Sequence, residues 1–137
     1  MSEEGTGATR RDAAAAVSRE LVSLHKQFYG KGPVRAKTYF VNDTVLCVLE
    51  GGFTVVERTL IEVGRAPAVH DIRASFQAAM RQQFTAVVEA ALGRRVRAYM
   101  SQVHTDPDIA VELFLLEPEA SDPDKEFTFE LEDPGAD

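Results

Sequence analysis

Three short stretches of this sequence carry residue types able to do chemistry. Lys31 stands between Gly30 and Gly32, and Arg35 and Lys37 follow it. A glycine-flanked lysine can present backbone amides and a positive charge to phosphate or another small anion. The Gly-x-x-x-x-Gly-Lys-Ser/Thr spacing of a P-loop is absent, and the helical stretch precedes these glycines instead of following them. Helix-terminating glycines are therefore the competing reading. Gly51-Gly52-Phe53-Thr54 is the better small-ligand candidate. Its glycines admit close backbone approach, and a helix starting beyond Thr54 would offer amides and the positive end of its dipole to an anion. Thr54 and Glu57 also spell a capping box, which would satisfy those amides from within the chain. Finally, His104, Asp106 and Asp108 alternate as metal ligands can. Two carboxylates are too few oxygens for a hard divalent cation, and zinc would want more nitrogen or sulfur. Asp-Pro-Asp is ordinary turn chemistry, and no metal site is expected.

Nucleophiles and acid–base pairs are sparse. Cys47 is the single cysteine and lies in an apolar run, which reads as a buried, unreactive thiol. It excludes an intramolecular disulfide and suits a reducing cytoplasm. His25 and His70 fall in helical stretches without a His-Glu-x-x-His pattern. No Ser-His-Asp or Cys-His arrangement has local support, and no motif calls for a cofactor. Nothing here names a reaction.

The elements that must position these residues follow from periodicity. Val17, Leu21, Leu24 and Phe28 draw an apolar stripe on a helix opening near Arg10, and Gly30, Gly32 and Pro33 end it. Val34 to Val41 and Thr44 to Glu50 are rich in β-branched and aromatic residues around an Asn42-Asp43 turn, which predicts a hairpin. A short helix follows Thr54 and closes at Gly64. A long one starts at Ala66-Pro67 and ends at Leu92-Gly93, its stripe running through Val69, Ile72, Phe76, Met80, Phe84, Val87 and Ala91. Arg94 to Val103 and Ile109 to Leu116 make a second hairpin around Thr105-Asp106-Pro107-Asp108. The order αββααββ predicts an α+β domain, a four-stranded antiparallel sheet built from two αββ units with helices on one face.

Val34-Arg35-Ala36 after Gly32-Pro33 is matched by Val96-Arg97-Ala98 after Gly93, so internal duplication is one explanation of the repeated order. In a regular strand Arg35 and Lys37 share a face with Tyr39, and Arg97 with Tyr99 repeats the arrangement. Two such rows suit an anion or planar ligand, or are simply a solvated sheet face. A helix from Pro67 to Leu92 would be about 39 Å long, beyond the roughly 26 Å of an eight-residue strand. Either the short helix or a second subunit must cover the excess, and a homodimer is the expectation.

The 137 residues allow one domain of ordinary size, and the composition, 45% hydrophobic and 27% charged, is that of a globular chain. No run approaches the ~18 to 20 apolar residues of a membrane span, so direct membrane insertion is not expected. The net charge of −7 argues against bulk affinity for nucleic acid. Yet 9 of the 22 acidic residues and only 1 of the 15 basic ones lie in 117–137. The rest is almost neutral. Residues 1–9 read as a flexible start, 10–117 as the domain, and 118–137 as an acidic, disordered tail. Within the tail, Glu126-Phe127-Thr128-Phe129-Glu130-Leu131-Glu132 alternates with period two, as a short strand or an edge-pairing peptide would.

Tyr29-Gly30-Lys31-Gly32-Pro33, Glu50-Gly51-Gly52-Phe53-Thr54 with Glu57, Ala79-Met80-Arg81 and His104-Thr105-Asp106-Pro107-Asp108 occur in an order that resembles the small bacterial MpsC-like family. The resemblance runs from about residue 15 to 117. It implies a component of a sodium-translocating, membrane-potential-generating system and brings no catalytic residues with it. The expectation is a non-catalytic cytoplasmic accessory or regulatory subunit, with a membrane-complex partner. The alternative is a small-anion-sensing homodimer using Lys31, Arg35, Lys37, Gly51, Gly52, Thr54 and Arg97.

Overall fold

The two central strands alternate large side chains on both sides of the sheet, and one side is enclosed by helices. The computed structural model describes residues 6–119; the expected tail strand at 126–132 lies outside the described residues. Helix α1 (Thr6–Tyr29) opens the described chain, four residues earlier than its periodicity suggests. Strands β1 (Arg35–Val41) and β2 (Thr44–Glu50) follow, then α2 (Val55–Glu62), α3 (Ala66–Leu92), β3 (Val96–His104) and β4 (Ile109–Leu116). This is the expected αββααββ order and an α+β fold.

Local chemistry accounts for the boundaries. Asn42 takes a positive φ of 51° in the β1–β2 turn, where a short polar side chain tolerates the left-handed region. At the start of α2 the capping box is complete: Glu57 N–H donates to Thr54 Oγ1 at 3.1 Å, and Thr54 N–H donates to Glu57 Oε1 at 2.9 Å. Gly93, at φ 66°, closes α3 with its N–H on the Glu89 carbonyl.

The sheet order is β1-β2-β4-β3, antiparallel throughout. The two hairpins thus join through their second strands, and each first strand lies on an edge. On the covered face Val45, Cys47 and Leu49 of β2 and Phe114 and Leu116 of β4 pack with Val17 and Leu21 of α1 and Met80, Phe84 and Val88 of α3. A smaller cluster of Phe53, Val69 and Val103, flanked by Leu60 and Ile61 of α2, caps the N-terminal end of α3. The short helix therefore covers the excess length of the long one. The length mismatch no longer argues for a second subunit.

Candidate functional site

The double-glycine turn draws together Lys31, Gly51, Gly52 and Thr54. Gly51 has φ +74°, and a Cβ there would lie 2.6 Å from Val34 Cγ2, so this position needs glycine twice over. Its carbonyl accepts from Lys31 Nζ at 2.6 Å, and its N–H donates to the Asp108 carbonyl at 3.0 Å. The Phe53 N–H donates to Asp108 Oδ2 at 2.9 Å, and the Gly52 carbonyl accepts from Arg73 at 3.1 Å. Around this turn the carboxylates of Asp108 and Glu57 accept the backbone bonds that an anion would otherwise accept. His104 and Asp106 do not join Asp108 here; the His104 ring pairs with the Pro107 carbonyl at 2.9 Å. Among the described residues no group of three or more His, Cys, Asp or Glu is placed to hold a metal ion.

Beneath the turn lies a pair that sequence reading missed. Arg73 is 4% exposed and Glu57 3%, and the guanidinium makes two 2.6 Å bonds to the carboxylate. Two rings flank Arg73, with Tyr29 3.8 Å and Phe53 5.2 Å from its guanidinium carbon. Burial opposes charge on Glu57, but bonds from Arg73 and Thr54 outweigh it and hold the carboxyl below its ordinary value of 4.5. Burial likewise opposes charge on Arg73, and Glu57 more than restores it. Tyr29 is pushed up to about 12 by burial, with Arg73 partly opposing.

A second interior cluster is built around Glu112, the one charged side chain on the covered face of β4. Tyr99 donates its hydroxyl proton to Glu112 Oε1 at 2.5 Å, and His25 Nε2 stands 3.4 Å from Oε2. His25 Nδ1 lies 2.7 Å from the Leu21 carbonyl, which can only accept, so Nδ1 carries a proton. His25 further stacks on Phe84 with ring centroids 5.1 Å apart. Burial, then the Glu112 charge, raises the Tyr99 phenol far above its usual range. A void of about 10 Å³, roughly one water, separates the two clusters and touches His25, Phe53, Arg73 and Asp108. The signal for these residues was present: Glu112 interrupts an apolar strand, and His25 and Arg73 sit on helical stripes at Leu21+4 and Val69+4.

The cationic rows do not meet. Arg35 and Lys37 line the exposed side of β1 with Tyr39, as expected. Arg97 is at the diagonally opposite corner of the sheet, three strand spacings across and about seven residues along, about 27 Å away. The register slips between Val96 and Ala98, which places Arg97 in an irregularity of β3 while Tyr99 turns into the core at 6% exposure. The expected Arg97–Tyr99 copy of the β1 row is therefore corrected: the extra residue breaks the period-two alternation on which it rested.

Among the described residues no helix covers the other side of the sheet. Leu46 and Val48 of β2, Val111, Leu113 and Leu115 of β4, and Met100 of β3 lie there, the last 50% exposed. The apolar part is the central strand pair, about 10 by 23 Å or about 220 Å², because β1 adds Arg35 and Lys37 and β3 adds Gln102 and His104 to the same face. This is an apolar strip with a polar rim, the layout that interaction surfaces show. Among the described residues no helix is long and apolar enough to cross a membrane.

A family model described as "Na+-translocating membrane potential-generating system (MpsC)" matches residues 9–118. Among curated proteins and among solved structures nothing matches.

Proposed function

The chain belongs to the MpsC family, and on that footing we propose that it is a non-catalytic accessory or regulatory subunit of a membrane ion-translocating system, working on the cytoplasmic side as a homodimer. The family's description supplies the association with a Na+-translocating, membrane potential-generating system. The observation that carries the subunit reading is the uncovered apolar sheet face. Antiparallel sheets with one face in water usually alternate apolar and polar residues, whereas β2 and β4 are apolar on both faces. Glu112 points inward, so the exception to the apolar pattern of β4 does nothing to make the outer face polar. A second copy is the occupant the face fits best: β2 and β4 run antiparallel at its centre, and a two-fold axis there brings like surfaces together as an aligned sandwich. The interior ionisable groups direct their hydrogen bonds at one another, which favours a structural role for them over turnover.

Affinity purification from gently solubilised native membranes tests the association, and light scattering tests the dimer. Membrane proteins co-purifying with the wild type, and a particle of about 30 kDa, are expected. Leu113→Lys, which places a charge at the centre of the face, should halve that mass. A wild-type particle of 15.1 kDa at micromolar concentration removes the dimer. Wild-type protein recovered from cells with no membrane association removes the subunit reading.

A further inference from the structure

Strand β1 is an edge strand, with alternate N–H and C=O groups pointing away from β2 and toward the exterior. Its free edge does not face open solvent alone. Between it and α1 run two adjoining hollows of about 350 and 400 Å³. Their floor is small and apolar, with Ala14, Ala15 and Ala36, while Arg11, Arg19, Arg35 and Lys37 provide four exposed cations. An extended peptide with one apolar and one acidic face would match both the edge and the charge.

We propose that the occupant is this chain's own segment 126–132, added as a fifth strand antiparallel to β1. Connectivity permits it. Strand β4 ends beside the β1–β2 turn, where Leu116 N–H donates to the Asp43 carbonyl at 2.8 Å. Glu119 lies 3.8 Å from Arg94, which itself bonds Asp43 of that turn at 2.6 Å, and a position outside β1 is three strand spacings, about 14 Å, from β4. The seven steps from Glu119 to Glu126 reach about 23 Å when extended. Arriving at the Val41 end, the segment runs toward Arg35, opposite to the direction of β1, and its seven residues equal the seven of β1.

Side-chain parity sets the register. With Glu126 opposite Val41, Glu130 faces Lys37 and Glu132 faces Arg35, so two of the three glutamates meet a cation on the outer side. Phe127, Phe129 and Leu131 then face Phe40, Thr38 and Ala36, on the side where α1 and its alanines lie. A slip of one residue would put the phenylalanines beside the cations and the glutamates over the alanine floor. The fifth strand would also close an edge otherwise open to pairing with foreign chains, and withhold the basic groove from acidic partners.

Hydrogen exchange of the full-length protein reads the β1 amides directly. Exchange at Arg35–Val41 should be at least about 10-fold slower in wild type than in Phe127→Asp/Phe129→Asp, with Phe127→Leu/Phe129→Leu keeping the protection. The aspartates make the segment more acidic, so attraction by charge alone would strengthen. Equal β1 exchange in wild type and the aspartate variant overturns the proposal. The register is tested by Lys37→Cys/Glu130→Cys, whose thiols would face each other at the exposed edge while Cys47 stays buried. A bridge within one chain, running as a monomer on a denaturing gel, is expected. A bridge between two chains, or none, overturns the assignment of the segment to its own edge.

Discussion

Removing one partner of the Glu57–Arg73 pair should cost far more than removing both. Arg73→Met leaves a carboxylate at 3% exposure with only its bonds from Thr54, and Glu57→Gln leaves a guanidinium at 4% exposure facing a neutral amide. An uncompensated buried charge costs about 3–5 kcal/mol. For a domain of this size about 4 °C accompanies each kcal/mol, so each single variant should melt about 12–20 °C below wild type. Glutamine keeps an acceptor for the Thr54 amide, so the capping box contributes little to that loss. The double variant has no stranded charge. It forfeits the bond to the Gly52 carbonyl and the cation–π contacts with Tyr29 and Phe53, together about 2 kcal/mol. It should therefore be more stable than either single variant. Thermal unfolding of the four proteins at one concentration and pH 7 completes the cycle. Additive losses, or a single-variant cost under about 1 kcal/mol, would refute a desolvated, mutually dependent pair. The pH dependence has a definite sign: the carboxyl is depressed in the folded state, so its stabilisation is present above 4.5 and is lost as pH falls through the lower folded value. Glu57→Gln should remove that part of the acid dependence.

Gly51→Ala places a Cβ at φ +74° and 2.6 Å from Val34 Cγ2, and should lower stability by about 1–3 kcal/mol, whereas Val34→Ala in the same background relieves the clash and leaves only the dihedral strain; urea unfolding of the wild type and the two variants reads this. Burial raises Tyr29 to about 12, so the stabilisation from keeping it neutral is intact below its ordinary value of 10 and fades between 10 and 12; ultraviolet phenolate titration should show a step coincident with alkaline unfolding, and its early appearance in folded protein would contradict that burial. The Cys47 thiol, 0% exposed and pushed up to about 11 by burial, should resist an aromatic disulfide reagent at pH 8 until denaturant is added, so rapid stoichiometric labelling of native protein would place it elsewhere.

Much of this fold is legible because its signals are local. The Asn42-Asp43 turn, the Thr54–Glu57 box, Pro67 in the first turn of α3 and Gly93 after its last each act within a few residues. Their order alone leads to αββααββ. The stripe of α3 is legible too, with a drift: Arg73 and Val88 are buried where the sequence reading favours Ile72 and Val87, since steps of three and four only approximate 3.6 residues per turn. The candidate site is less legible. Lys31, Gly51, Gly52 and Thr54 gather at one turn, but Arg97 is separated from Arg35 by the full diagonal of the sheet.

By itself, then, the sequence determined the type and order of the elements, their caps and turns, and the split between a near-neutral domain and its acidic extension. Tertiary structure alone decided which strands are neighbours, which face is left open and which charges are buried together. The physical reason is separation along the chain. Arg73 meets Glu57 across 16 residues, Tyr99 meets Glu112 across 13, and Arg94 meets Asp43 across 51. The first needs the packing of α2 on α3, the second the register of the β3–β4 hairpin, and the third the β1-β2-β4-β3 order, none of which local periodicity encodes. The same order puts β1 at an edge and an apolar face outside, and so determines where this chain can meet a partner.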